Sequence, residues 1–141
     1  MFWLAGFLSL TMLANGLFML INPKDWYDIV PTVPQTGFFN QHFVRDIGII
    51  YVLIGVGFFV GIVQPGRRIW LWFASTLWLA AHTLFHYWEA LVGICSASAL
   101  VTNAYGVTLP TAVGVAATAL AWRVRWKESA AQAPRAAVGH T

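Results

Sequence analysis

The sequence predicts an all-α integral membrane protein, built as a four-helix transmembrane bundle. Hydrophobic residues make up 59% of the 141 residues and charged residues only 9%, whereas a soluble domain carries about a quarter charged residues. Too few charges are present to cover a water-facing surface. The apolar residues form four segments of at least about 20 residues, the length that a membrane span requires. Turn-forming or charged residues separate these segments.

The first two predicted spans cover residues 2–21 and 40–63. Residues 2–21 have no formal charge, and proline at position 23 ends the helix because it disfavours a helical predecessor. This stretch lacks a basic leader and is longer than the apolar core of a signal peptide, so we expect a retained span. A proline-containing loop follows, and Asn40 can cap the start of the second span.

The third and fourth predicted spans cover residues 68–92 and 99–122. The segment Gln-Pro-Gly-Arg-Arg at positions 64–68 predicts a tight turn before the third span. Pro110 is expected to kink the fourth span, which membrane helices tolerate when neighbours satisfy the freed carbonyl. The predicted transmembrane domain therefore comprises residues 1–127. Small polar residues without periodicity predict a disordered cytoplasmic tail over 128–141.

Basic residues are distributed unevenly between the two sides of this topology. Four spans place both termini and the 64–68 turn on one side. That side carries six Lys and Arg residues and the other carries two: Arg67, Arg68, Arg123, Arg125, Lys127 and Arg135 against Lys24 and Arg45. The excess predicts a multi-pass membrane protein with both termini cytoplasmic. The lipid bilayer is the expected partner, and no motif indicates nucleic-acid binding.

Five ionisable residues in apolar surroundings form the candidate site. His42 and Asp46 begin the second span, and His82, His86 and Glu89 end the third. Spacings of three and four residues put each group on one helix face. The topology puts both groups at the same depth near the non-cytoplasmic face. Ionisable groups at membrane depth usually pair, bind a ligand or move protons.

Three interpretations of these residues remain open. Imidazole and carboxylate together suit a transition metal such as zinc, iron, copper or manganese. A hydrogen-bonded network of paired side chains is an alternative. In it, Arg45 pairs with Glu89, and Asp46 contacts His82 or His86. A haem or other tetrapyrrole with one histidine as axial ligand is the third. Proton transfer is compatible with the first two, and enzyme activity stays undecided.

Small residues and the single cysteine limit other interpretations. Gly57 and Gly61 are spaced by four residues, as are Gly114 and Thr118. Such faces let helices approach closely, and we favour packing within the chain over a homo-oligomer. Cys95 is the only cysteine, so an internal disulfide is impossible.

The stretch TGFFNQHFVRDIG, residues 36–48, resembles a signature of small bacterial four-helix membrane proteins of unknown function. These are similar in layout to the DoxX-like group, and the resemblance covers residues 1–125. It implies a four-helix membrane fold located in the bacterial inner (cytoplasmic) membrane. Some DoxX-like members are membrane subunits linked to respiratory or thiol-oxidising complexes. The resemblance carries over no catalytic residue, and a lone cysteine does not match a redox pair.

The sequence thus leads to three functional hypotheses. The first is a metal-binding or redox-related site near the non-cytoplasmic face. The alternative is an accessory structural subunit of a larger respiratory or photosynthetic membrane complex. A carrier of small molecules or lipids ranks last, because no polar path runs through all four spans.

Overall fold

The computed structural model describes residues 1–132, which form helices joined by short turns. Within these residues there is no β-strand, which confirms the all-α prediction. The six α-helices are α1 (Phe2–Ile21), α2 (Pro23–Ile29), α3 (Gln41–Val63), α4 (Arg68–Leu91), α5 (Ala97–Asn103) and α6 (Leu109–Gln132). A 3₁₀ turn covers Val33–Gln35, and a π-helical turn covers Ala104–Thr108.

Three of the described helices are long and apolar enough to cross a membrane. They are Phe2–Ile21, Gln41–Val63 and Ser98–Ala131, the last of which joins α5, the π-helical turn and α6. The helix α4 has 24 residues but contains more polar side chains and is not among them. Length and composition therefore support a membrane protein with three candidate spans.

The four long helices pack in a ring. The helix α1 lies beside α3 and α6, and α4 also lies beside α3 and α6. Each long helix contributes a side chain with 0% exposure to the shared core: Leu8, Phe58, Trp72 and Ala117. One continuous core therefore holds the ring together, including the helix α4 that is less apolar on average.

Polar contacts determine both ends of α3. The side chain of Asn40 accepts a hydrogen bond from the Phe43 backbone N–H at 3.2 Å, so the predicted cap forms. At the other end, the Arg68 guanidinium donates to the carbonyls of Gly61 at 2.8 Å and Ile62 at 3.3 Å. These carbonyls belong to the last helical turn, which lacks intrahelical donors. Arg68 thereby ties the start of α4 to the end of α3.

The irregularity expected at Pro110 is a π-helical turn that ends two residues before it. Proline lacks the N–H that would bond to a carbonyl of the preceding turn. The Thr83 hydroxyl of α4 lies 3.2 Å from the Val107 carbonyl and 2.8 Å from the Thr111 hydroxyl. A neighbouring helix thus supplies hydrogen-bonding groups where the helical pattern is interrupted.

The helix α6 continues ten residues beyond the expected end at 122. Residues 128–132, expected to belong to a disordered tail, are therefore helical. The segment 123–132 contains Arg, Lys, Glu, Gln and Ala, which are good helix formers and prolong a helix that has already started. The rest of the expected tail, 133–141, lies outside the described residues.

Candidate functional site

The polar side chains on α4 form one connected stripe. The Nε2 atoms of His82 and His86 lie 3.3 Å apart. The Nδ1 atom of His86 lies 3.3 Å from Oε2 of Glu89. The side chains of His86 and Glu89 are only 21% and 11% exposed. His86 therefore contacts its two neighbours through opposite ring nitrogens, mostly shielded from the surroundings.

The contacts of His86 restrict where its protons can be. A carboxylate only accepts hydrogen bonds, so Nδ1 of His86 has to carry a proton to donate to Glu89. In a neutral ring, Nε2 of His86 then faces His82 with a lone pair. This lone pair can accept a proton from His82 or bind a metal ion. The geometry is compatible with proton transfer and with metal ligation.

Aromatic side chains position His82. The indole ring of Trp78 stacks on the imidazole, with ring centroids 4.9 Å apart and an interplanar angle of 15°. Tyr51 of α3 meets both rings edge to face, with centroids 5.4 Å from Trp78 and 6.2 Å from His82. Tyr51 is buried. Tyr51 is therefore the side chain of α3 that packs against His82, at the N-terminal end of the stripe.

The other predicted pair lies in the first two turns of α3. His42 Nε2 is 3.2 Å from Asp46 Oδ2, and the two side chains are 88% and 53% exposed. Within residues 1–132, the ion pairs of both predicted groups stay inside their own helices. The structure thus places the five predicted residues in two groups, an exposed pair on α3 and a shielded group of three on α4.

Residues 1–132 contain no group of three or more His, Cys, Asp or Glu side chains that could hold a metal ion. The orientation of His86 explains this for α4. Its Nε2 atom faces His82 while Nδ1 faces Glu89, so the three side chains do not point to one common position. A metal centre that uses all five predicted residues stays a prediction.

The cross-helix pairs of the network interpretation do not form within the described residues. The Nε atom of Arg45, expected to contact Glu89, donates instead to the Leu20 backbone carbonyl at 3.1 Å. Asp46 contacts His42 of its own helix. The N-terminal end of α3 is consequently attached to α1 rather than to the imidazoles of α4.

Two residues next to the stripe were not assigned to it from the sequence. Trp78 precedes His82 by four residues, and this spacing on one helix face could have indicated the stacking. Thr83 is 6% exposed and faces α6, where its hydroxyl contacts Thr111 at 2.8 Å. Its position directly after His82 gave no such signal. Trp78 stacks on His82 within α4, and Thr83 joins α4 to α6 beside the stripe.

The stripe lies at the end of the molecule opposite the 64–67 turn. The backbone carbonyl of Glu89 accepts hydrogen bonds from the N–H groups of Ile94 at 2.9 Å and Cys95 at 3.3 Å. Cys95 lies outside the helices that could span a membrane. Partial burial, together with the negative charge of Glu89, raises the pKa of the Cys95 thiol. The carboxylate is therefore close enough to influence this turn.

Comparisons of the chain with models of protein families, with curated proteins and with solved structures found no match. The resemblance to DoxX-like membrane proteins stays a prediction. Any functional proposal for this chain consequently depends on the geometry of its own residues.

Proposed function

We propose that the chain is a small four-span membrane protein that binds a transition-metal ion through His82 and His86, near the non-cytoplasmic face. Glu89 holds the imidazole of His86 in the ligating orientation. The observation that carries this proposal is the 3.3 Å separation of the two Nε2 atoms, combined with a carboxylate on the far nitrogen of His86.

The exposed side chains of α4 support its membrane placement. Exposed large apolar side chains recur at spacings of three, four and seven residues along its whole length: Trp70, Phe73, Leu77, Leu84, Trp88 and Leu91. Its buried positions include Ser75, Thr76 and Thr83. Part of the lower average hydropathy of α4 therefore comes from polar groups inside the protein. An apolar outer surface of this length favours a lipid environment, and 24 residues reach about 36 Å.

The distribution of charge supports the orientation. One end of the described molecule carries Arg67, Arg68, Arg123, Arg125 and Lys127, whereas Lys24 and Arg45 belong to the other. An excess of basic residues is typical of cytoplasmic loops. We therefore place the termini in the cytoplasm and the histidine stripe near the opposite face.

A labelling experiment tests the number of spans. Cys95 and the 64–67 turn flank α4, so they lie on opposite sides of the membrane if α4 crosses it. We expect a membrane-impermeant maleimide to label Cys95 in intact cells. In a Cys95→Ala background, Gln64→Cys should be labelled only after the cells are opened. Labelling of both cysteines from the same side would reject a spanning α4.

The distance between the imidazole nitrogens fits a tetrahedral metal site. Two nitrogens that each lie about 2.05 Å from a tetrahedral zinc ion are about 3.3 Å apart. The Nε2 atoms of His82 and His86 have this separation, which is longer than the usual range of about 2.7–3.2 Å for an N–H hydrogen bond. Both lone pairs can converge on one ion if each ring carries its proton on Nδ1.

Glu89 fits the role of a residue that supports a ligand. Ligating histidines commonly donate the other ring N–H to a carboxylate, which fixes the tautomer and raises the basicity of the ligand. Glu89 is buried and lies in the last turns of α4, where the helix dipole disfavours a negative charge. A proton on Nδ1 of His86, and a cation beyond it, compensate this cost. Two protein ligands leave positions open for water or a substrate.

Elemental analysis tests the metal site. The full chain is purified in mild detergent without chelator, and zinc, iron, copper and manganese are measured per chain. We expect close to one ion per wild-type chain and a background level for His86→Ala. Glu89→Gln should weaken metal affinity by about 10- to 100-fold. His42→Ala distinguishes this two-histidine site from the five-residue prediction, since only the latter requires His42.

Two results would contradict the metal proposal. One is folded, metal-free wild-type protein whose thermal unfolding does not respond to any of the four added metals. The other is equal metal loss in His42→Ala and His86→Ala, which would show that the metal site includes residues of both α3 and α4.

Membership of a larger membrane complex is the second candidate. Phe38 is 100% exposed in the loop before α3, and Tyr105 and Leu91 are 81% and 86% exposed at the same end. Phe38 lies outside the candidate spans, so lipid does not account for it as readily as a partner protein does. In native gels of detergent-solubilised host membranes, a large species that disappears with Phe38→Ser would support this candidate. A lone small species would reject it.

A further inference from the structure

We propose that the cleft between the first turn of α4 and the C-terminal half of α6 binds the headgroup of an anionic phospholipid. This inference rests on the proposed orientation, which puts the cleft at the cytoplasmic membrane surface, and is independent of the metal site. The cleft has a volume of about 510 Å³, within the usual range of about 300–1,000 Å³ for ligand pockets.

The lining of the cleft combines aromatic walls with one cationic group. Trp70 of α4 and Trp122 and Trp126 of α6 provide the indole rings, and Arg125 provides the guanidinium. Tryptophan is enriched at the headgroup level of membranes because its ring is apolar and its N–H is polar. A guanidinium matches a phosphate in charge and in hydrogen-bonding geometry. This composition suits a phosphodiester with an attached glycerol backbone.

The charges around the cleft favour an anionic lipid over a zwitterionic one. Arg125 is the charged side chain that lines the cleft, and Glu128, the acidic residue nearest to it in the sequence, does not line it. Within residues 1–132, the ion pairs are those of Lys24, His42 and His86, and Arg125 belongs to none of them. The first turn of α4 forms the other wall, and its partial positive charge acts in the same direction.

The surface beside the cleft provides a path for an acyl chain. Phe73 and Leu77 follow Trp70 at spacings of three and seven residues, which puts them on the same face of α4. Their exposed fractions are 48% and 58%. This apolar strip leads from the cleft towards the middle of the proposed span. The headgroup can thus occupy the cleft while the lipid tail remains in the bilayer.

Lipid retention in native mass spectrometry tests the proposal. The full chain is exchanged into detergent that contains phosphatidylglycerol or phosphatidylcholine with identical acyl chains. We expect wild-type protein to retain one phosphatidylglycerol in preference to phosphatidylcholine. Arg125→Gln should weaken phosphatidylglycerol binding by about tenfold, the effect typical of losing one hydrogen bond to a charged group. Arg125→Lys keeps the charge and should retain most of the preference.

Arg123→Gln is the matched control, because it removes the same charge from the same helix but does not line the cleft. It should leave the preference nearly unchanged. Equal retention of both lipids by wild-type protein, or equal losses in Arg123→Gln and Arg125→Gln, would overturn the proposal. Displacement of the lipid by millimolar inorganic phosphate would also overturn it, since the occupant would then be free phosphate. Metal content of the same samples shows separately whether the proposed function holds.

Discussion

The interfaces α1–α3 and α4–α6 both contain small residues, but they hold their helices together in different ways. An ideal Cβ on Gly16 of α1 would lie 2.7 Å from the Gly48 carbonyl oxygen and 2.8 Å from the Val52 backbone nitrogen of α3. At the other interface, the Thr76 and Thr118 hydroxyls are 3.1 Å apart. Direct backbone packing dominates the first interface, and hydrogen-bonded side chains dominate the second.

This difference explains where polar chemistry can occur in the molecule. Where the backbones of α1 and α3 are in contact, as at Gly16, no space is left between them for a side chain, so that interface acts as a rigid support. The helix α4 keeps polar groups on its inner side, and its threonines find partners on α6. The hydroxyl groups on the inner side of α4 thus have hydrogen-bond partners, and the same helix can also hold shielded ionisable side chains. The rigid pair supports the fold, and the polar pair carries the candidate site.

Gly16→Ala should have the largest effect, because it tests whether the α1–α3 backbones can move apart. The added methyl group meets backbone atoms, which cannot rotate away, so we expect a loss of about 1–3 kcal/mol in the free energy of unfolding. Circular dichroism during denaturation in mild detergent measures this loss. Gly6→Ala is the control on the same helix, since a Cβ there has nothing within 4 Å. It should be neutral or stabilise by up to about 1 kcal/mol.

Equal stability of Gly16→Ala and Gly6→Ala would show that α1 and α3 separate at little cost. The two interfaces would then not differ in rigidity.

Thr83→Val should have the next largest effect, because Thr83 contacts more than one group. Its hydroxyl lies 2.9 Å from the Leu79 carbonyl, 2.8 Å from the Thr111 hydroxyl and 3.2 Å from the Val107 carbonyl. Removing it takes away one hydrogen-bonding group beside the π-helical turn, where the Thr111 hydroxyl still donates to the Val107 carbonyl at 3.2 Å, so we expect a loss of about 1 kcal/mol. The same unfolding assay measures the change. Thr83→Ser retains the hydroxyl and should lose clearly less, and a Ser variant as unstable as the Val variant would assign the effect to packing.

Thr76→Val should have a smaller effect, since its cross-helix hydrogen bond joins one pair of hydroxyls. Interhelical hydrogen bonds in membrane proteins contribute about 0.6 kcal/mol on average. A double-mutant cycle with Thr118→Val isolates this pair, because the second substitution should cost almost nothing once the first is present. Strictly additive losses would show that the two threonines stabilise the protein independently and would remove hydrogen bonding as the basis of this interface.

Much of the helical framework follows from local signals in the sequence. Residues 2–21 form α1 with the predicted bounds, and Asn40 caps α3 as predicted. Such features depend on a few neighbouring residues, so proline, caps and apolar length suffice to predict them. The extension of α6 to Gln132 was not predicted, because the apolar pattern ends at 122 while the helix does not. Hydropathy marks where a chain can contact lipid, and helix propensity continues past that limit.

The candidate site was predictable within α4 but not between helices. Spacing alone puts His82, His86 and Glu89 on one face, as observed. No comparable signal in the sequence gives the distance between side chains on neighbouring helices. Gly48 packs against α1, and Arg45 donates a hydrogen bond to the last turn of α1, so the N-terminal part of α3 is held against α1. Equal depth along two helices therefore did not bring the predicted residues of α3 to the imidazoles of α4.

The smallest expected effect concerns the end of the polar helix, where Glu89 influences the Cys95 thiol. Burial and the carboxylate raise the pKa of this thiol, so removal of the charge should lower it. More thiolate is then present between about pH 7 and 8.5, and only the thiolate reacts with iodoacetamide. Metal-free Glu89→Gln should therefore be alkylated faster than wild type, with the difference disappearing at pH values where both thiols are ionised. Asp46→Asn, which removes the same charge from α3, should react at the wild-type rate. If Asp46→Asn accelerates alkylation as much as Glu89→Gln, the Cys95 thiol responds to the overall charge of the protein. Glu89 would then have no specific influence on this thiol.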